Sequence, residues 1–327
     1  MKFSIWFNTK PSQLMISLIL CCFLMLLVSA CSKGAKEGEE EPRATKISQS
    51  GPKALKTHSS PTNAIHPSFV TQQELNTILA SGSGRPKVPE GRIVSAVLPH
   101  HLLAGRLLVD AMEALALQEP NLVILVGPNH FNKGERVISG FSGWQTPEGI
   151  MEVSEEAVKH LLGKGLVVID EEALAKEHSI GALVPLLKYF LPEAEIVPII
   201  LHHDVSLKEV DGLLEGLEAL VDDRAVLIAS VDFSHYLARS EAQAKDQETL
   251  RHMMNFDYSA LFSLGNDYLD SPASLATAIR LAEQEGIREF VVLDNTNSGI
   301  IQRNDFIETT SYFTMMFSEK SVERTHN

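Results

Sequence analysis

The chain has 327 residues, with 28 Lys and Arg against 42 Asp and Glu, a formal net charge of −14. A surface of that sign repels phosphate backbones and excludes nucleic acid as an expected partner. The three cysteines are Cys21, Cys22 and Cys31, so nothing after residue 31 offers a thiol for a disulfide, a zinc–thiolate centre or a Cys nucleophile.

The N-terminus carries Lys2 and Lys10 and then a nearly unbroken apolar run from Leu14 to Val28. That run is shorter than the ~20 residues a comfortable transmembrane helix needs. A basic start, a short apolar middle and small residues at its end describe an export signal over residues 1–31. Val28-Ser29-Ala30-Cys31 resembles the lipobox of bacterial lipoproteins. The resemblance implies that Cys31 is acylated and becomes the mature N-terminus. Membrane lipid would then be a partner and the protein would be extracytoplasmic, at the outer membrane in a Gram-negative cell, since Ser32 rather than Asp follows. An uncleaved membrane anchor is the alternative.

Residues 32–88 read as a flexible tether. The stretch up to about Thr62 is rich in Lys, Glu, Gly, Ser, Thr and Pro and buries too little apolar surface to offset its ordering entropy. A short helix is expected within Ile65–Leu79, and Ser81-Gly82-Ser83-Gly84-Arg85-Pro86 breaks the chain after it.

From Arg92 onward short apolar runs alternate with amphipathic ones. The pattern predicts strands over Ile93–Leu98, Leu122–Val126, Glu195–Leu201, Ala225–Ser230, Glu289–Leu293 and Tyr312–Phe317. It predicts helices over Leu103–Leu117, Ser154–Leu162, Gly181–Phe190, Leu207–Leu220, Ser240–Asn255 and Ser274–Glu285. Continuous apolar strands separated by helices indicate one α/β domain, residues 89–319, with a mainly parallel central sheet flanked by helices. Residues 320–327 are expected to form a disordered tail.

In open α/β sheets ligands bind beyond the carboxyl ends of the strands. Three predicted strands run there into Pro99-His100-His101, into Gly127-Pro128-Asn129-His130 and into Val231-Asp232-Phe233-Ser234-His235. A single His after a strand is more often a loop hydrogen-bonder than a ligand. Three at equivalent topological places point to a metal site, because imidazole is a common neutral ligand for Zn, Fe and Cu. Rival signatures (a G-x-S-x-G elbow, a P-loop, a G-x-G-x-x-G turn, H-E-x-x-H) are missing from the sequence.

The ordered words Val97-Leu98-Pro99-His100, Val126-Gly127-Pro128-Asn129-His130, Glu177-His178-Ser179 and Ser230-Val231-Asp232-Phe233-Ser234-His235 resemble the MEMO family, whose bacterial and archaeal members are called AmmeMemoRadiSam system protein B. That family is similar in fold to the class III extradiol, LigB-type dioxygenases, which hold non-haem Fe(II). The resemblance implies His100 and His130 as metal ligands and His235 as the pocket acid/base with Asp232 as its acidic partner. It also implies His178 as a further pocket residue, although capping or packing would explain that side chain equally. MEMO proteins usually offer a Cys as third ligand, but the matching segment here is Asp267-Tyr268-Leu269-Asp270-Ser271-Pro272-Ala273. Asp270 is the expected replacement, Asp267 its rival, and an N-cap for the following helix the bland alternative for Asp270. Two histidines and a carboxylate favour Fe(II), with Cu or Zn as alternatives.

His101 is read as a supporting group or alternative ligand, His202-His203-Asp204 as a lesser candidate on the same edge, and Trp144-Gln145-Thr146-Pro147-Glu148-Gly149 as a wall of the pocket. Three functions compete: a metal-dependent redox or dioxygenase-like enzyme, a non-catalytic surface lipoprotein that binds a metal or ligand, and a metal-free scaffold. The substrate is not legible, and other AmmeMemoRadiSam system proteins are the expected protein partners.

Overall fold

The computed structural model describes residues 65–319. The export signal, Cys31, most of the expected tether and the tail at 320–327 lie outside the described residues. The strands in chain order are β1 (Ile93–Leu98), β2 (Leu122–Pro128), β3 (Val137–Ser139), β4 (Trp144–Thr146), β5 (Gly149–Met151), β6 (Val168–Ile169), β7 (Glu195–Leu201), β8 (Ala225–Ser230), β9 (Phe233–Leu237), β10 (Val291–Asn297) and β11 (Thr309–Ser318). The helices are α1 (Gln72–Leu79), α2 (Gly105–Ala116), α3 (Glu155–Gly163), α4 (Glu171–Lys176), α5 (His178–Gly181), α6 (Val184–Phe190), α7 (Leu207–Leu217), α8 (Arg239–Met254), α9 (Tyr258–Leu261), α10 (Pro272–Gln284) and α11 (Ser298–Gln302). No helix among the described residues is long and apolar enough to cross a membrane.

One large sheet runs in the order β10-β11-β1-β8-β2-β7-β3-β6, with β9 added on β11. Its centre, β1-β8-β2-β7, is parallel. β1 and β8 are buried at every position, and β2 and β7 at every position but the first. Because successive side chains point to opposite faces, this burial means that both faces are covered. α10 supplies part of the cover, lying along β1, β8 and β2 with small buried residues such as Ala273, Ala276 and Ala278. Ser95 on β1 donates its hydroxyl to the Ala278 carbonyl at 2.8 Å, which satisfies a buried side chain at that contact.

The flanks are antiparallel: β11 against β1, β10 against β11, and β3 against β7. The strand expected at Glu289–Leu293 lies instead at Val291–Asn297 and includes Asp294-Asn295-Thr296-Asn297. β10 is an edge strand with burial that is partial or alternating, so polar residues fit it and a continuous apolar run marks only its first residues. No strand is expected from the sequence at β9. It pairs Phe233 with Ser311 and Leu237 with Thr309, which fixes the segment carrying His235 to the sheet.

The folded unit starts earlier than the expected boundary at residue 89. His66 is buried and makes backbone hydrogen bonds with Gly143 and Gln145, both 2.8 Å. A capping box between Thr71 and Glu74 begins α1, whose Leu75 and Ile78 are buried where the helix meets α2. The polar, Gly- and Pro-rich text around this helix concealed a packed element of only eight residues. Leu75→Ala should lower stability by about 2–4 kcal/mol in chemical denaturation, by the usual cost of emptying a core leucine site. An unchanged midpoint would show that α1 does not belong to the core.

Candidate metal centre

Strand register brings the site together before any side chain is considered. Leu98 pairs with Ser230, Val126 with Ala229, and Pro128 with Leu201, so the carboxyl ends of β1, β8, β2 and β7 stand level. His100, Asp232 and His130 each follow two residues beyond their strand, on neighbouring or next-neighbouring strands about 5 Å apart.

The His100 ring is almost fully buried, and hydrogen bonds fix its tautomer. The Ser230 hydroxyl spends its only hydrogen on the Ser179 carbonyl at 2.6 Å, so at 3.0 Å it accepts from His100 Nδ1–H. The His100 Nε2 lone pair is left facing Asp270 Oδ2 at 3.3 Å. Burial, followed by the charges of His130 and His178, pushes the proton affinity of His100 well below that of an ordinary histidine, which keeps this lone pair available.

His130 is held the same way by a different group. Its Nδ1–H donates to Glu177 Oε1 at 2.7 Å, and its backbone N–H donates to Glu177 Oε2 at 2.9 Å. Its Nε2 lies 3.8 Å from Asp270 Oδ2. Glu177 has no exposure and begins α5 as its N-cap, accepting also from Ser179 N. Burial would raise its pKa, but the hydrogen bond and charge of His130 and the backbone donors outweigh it, and the carboxylate sits below its usual range. A close approach between α5 and β2 makes this contact possible. A Cβ on Gly127 would meet Ser179 Oγ at 2.6 Å, so only glycine lets the helix lie there.

Asp270 completes the set. Its side chain is 4% exposed, Oδ2 accepts from Asp232 N at 3.2 Å, and Oδ1 is buried with no hydrogen-bond partner. Burial, reinforced by the charge of Asp232, pushes its carboxyl well above the usual range. The capping role belongs to Ser271, which accepts from Ser274 N at 3.1 Å. Asp267 is turned away, half-exposed and paired with Lys245 at 2.7 Å. The two imidazole Nε2 atoms and one oxygen of the Asp270 carboxyl thus face one another. A cation placed between them would relieve the crowding of electron pairs, and the donor set suits a transition metal.

His178 is closer to the cluster than a capping or packing role requires. Its ring stacks on His130 at 4.0 Å between centroids and lies 5.2 Å from His100. One ligand atom from each of His100, His130 and His178 falls within 4.8 Å of the other two. The His178 ring is half-exposed, and burial lowers its proton affinity.

His235 stands outside this ring contact. Its Nδ1 meets the Asn266 carbonyl at 3.1 Å, so that carbonyl orients the ring and Nε2 is the open base. Burial lowers its pKa, while the charge of Asp232 works in the opposite direction. Asp232, the acidic partner that the resemblance implies for His235, makes no hydrogen bond to its ring. Its Oδ1 is instead occupied by His100 N at 3.1 Å, so it acts on His235 through charge. His101 turns to the Tyr312 hydroxyl at 2.5 Å. Trp144, expected as a pocket wall, is buried against His66 at 4.5 Å, in a β4–β5 hairpin packed on α6.

Sequence reasoning gave no role to Glu177 or Ser230. Both were visible in the text, as the residue before His178 and the last residue of a strand, but only the fold shows which ring nitrogen each one fixes.

Fold and site together define an α/β protein with a candidate metal centre of histidines and a carboxylate at the carboxyl rim of its parallel strands. The sequence profile of the Memo-like protein family matches residues 70–316, and the chain belongs to that family. It is similar to MEMO1 family proteins of Caldivirga maquilingensis (27% identity, covering 69% of this chain and 83% of that protein) and Aquifex aeolicus (27%, covering 75% and 94%). It is also similar to one from Methanosarcina mazei (33%, covering 54% and 67%). A crystal structure of an uncharacterized Escherichia coli K12 protein superposes with a TM-score of 0.45 at 11% identity, over 68% of this chain and 99% of that one, a likeness too distant to bear on function.

Glu177→Gln removes the charge that holds His130 Nδ1–H while keeping the shape. Metal affinity, measured by Zn2+ titration against a competing chelator, should fall roughly 10–100-fold, the usual effect of losing a carboxylate behind a ligating histidine. Equal affinity in the variant would reduce Glu177 to a helix cap.

Proposed function

We propose that the chain is a membrane-anchored Memo-like protein whose His100, His130 and Asp270 hold a non-haem metal ion, iron(II) first, for redox chemistry of the dioxygenase kind on a small organic substrate. The observation that carries the reading is the Asp270 carboxylate, buried and half-unpartnered, with Oδ2 at 3.3 and 3.8 Å from the two histidine Nε2 atoms. With oxygen in place of thiolate as third donor the site is hard, which favours Fe(II) over Cu(I) and leaves Zn as the redox-silent alternative. When bound, iron(II) in a two-histidine, one-carboxylate set supplies electrons and open positions for O2 and substrate.

The protein's own groups have separable tasks. Ser230 and Glu177 hold the two ligating rings in the tautomer that presents Nε2. His235 accepts a proton from substrate at Nε2, since Nδ1–H is committed to Asn266. Asp232 stabilises the resulting imidazolium through its charge.

A second reading, a non-catalytic surface lipoprotein that binds a metal or ligand, is favoured by His178. A nitrogen of that ring within ligand range of the other two would occupy a position that a catalytic site leaves open. Attachment to the membrane rests on the export signal and the lipobox ending at Cys31.

Elemental analysis of protein purified without chelator should find iron, lost in both His100→Ala and Asp270→Asn. Retention of metal in both variants contradicts the ligand set. His235→Ala should keep the iron and lose about 100-fold or more in O2 uptake with a catechol-type substrate. No uptake by the iron-loaded wild type leaves the binding reading. Cys31→Ala should move the protein from the membrane pellet to the soluble fraction, and an unchanged distribution refutes the lipid anchor.

A further inference from the structure

A second group of ligating side chains stands on the same rim, at the end of β7. We propose that His202, His203 and Asp204 form an auxiliary, solvent-facing site for a divalent transition-metal ion of the Zn2+ type, tied to the loop that carries His130. Each of the three offers a ligand atom within 4.8 Å of the other two. The two rings lie 4.4 Å apart, and His202 Nδ1 is 2.5 Å from Asp204 Oδ1.

Two observations beyond proximity point to a cation. Both ring nitrogens of His202 face oxygen acceptors, Nδ1 toward Asp204 and Nε2 toward the Asn132 carbonyl at 3.2 Å. A neutral imidazole carries one N–H, so one of these contacts sets two lone pairs against each other unless a positive charge intervenes. Local charge has the matching sign. Arg136 is held by both oxygens of Glu209 and also reaches Asp204 at 2.6 Å, so two carboxylates share one guanidinium. Asp204 Oδ1 thus sits between the guanidinium of Arg136 and the Nδ1 of His202. One negative charge is left over beside two imidazoles. The exposed ring of His203 makes no hydrogen bond to another described residue, so its nitrogens are free to ligate. Two imidazoles with one carboxylate select Zn, Ni or Cu over Mg or Ca.

The site is coupled to the first one by backbone. The Leu201–Pro128 register sets the two rims side by side. Asn132, two residues after His130, accepts from His203 N at its side chain, and its carbonyl faces His202 Nε2 at 3.2 Å. An ion on His202 and His203 therefore pins the same loop that presents His130.

The test is Zn2+ equilibrium dialysis on the full chain, comparing wild type, His203→Ala and His100→Ala/His130→Ala. Wild type should hold two ions in two affinity classes. His203→Ala removes only a free imidazole, since the contact to Asn132 comes from its backbone N–H, and thermal melting should show it folded as wild type. It should lose the weaker ion and keep the tighter one. The double variant should lose the tighter ion and still hold one. Wild-type stoichiometry in His203→Ala, or no ion in the double variant, overturns the proposal. Loss of the tighter class alone, with His203→Ala unaffected, sustains the first centre and not the second.

Discussion

Three electron-pair donors meeting in a place from which water is largely excluded is the constraint on which this structure turns. His100 Nε2, His130 Nε2 and Asp270 Oδ2 converge within 3.8 Å of the shared carboxylate oxygen. Burying such groups without a counter-charge is costly, and the molecule shows the cost in the raised carboxyl of Asp270 and the depressed imidazole of His100. A positive charge at that point would relieve the conflict. A metal ion would reverse the shift of Asp270, since it favours the deprotonated carboxylate, and would deepen that of His100, since it favours the neutral ring.

Rigid supports keep the donors from escaping. Each of the two rings is gripped at Nδ1 by a buried acceptor, Ser230 for His100 and Glu177 for His130, and each acceptor is itself committed elsewhere. Ser179 links the two supports: its carbonyl takes the Ser230 hydrogen, its own hydroxyl donates to the Pro128 carbonyl, and its N–H donates to Glu177. One short helix start thus locks the ends of β2 and β8. Asp270 is tied in at two points to the Asp232 backbone, its Oδ2 accepting from Asp232 N and its own N–H donating to the Asp232 carbonyl.

Much of this was legible before the fold was known, for physical reasons particular to each element. Buried parallel strands must be apolar throughout, so β1, β7 and β8 stood out in the text with bounds that the structure repeats. β9 and β10 were missed or misplaced because strands at an edge alternate or mix polar residues, and β3 and β6 because two or three residues carry no period. The packed start of the domain was hidden by tether-like composition on both sides of α1. Among the site residues, His100 and His130 announced themselves by position. Asp270 could be separated from Asp267 only by seeing Lys245 take the rival and Ser271 take the cap.

By itself the sequence determined the α/β class, the strand ends that carry imidazoles, and the family, because apolar periodicity and short ordered words are local properties of the chain. Tertiary structure decided which nitrogen of each ring is free, which carboxylate lies within reach, and that His178 joins the cluster while His235 stands apart. Those outcomes depend on register between strands far apart in the chain and on a helix seated against Gly127, and distances of that kind are written in no local pattern.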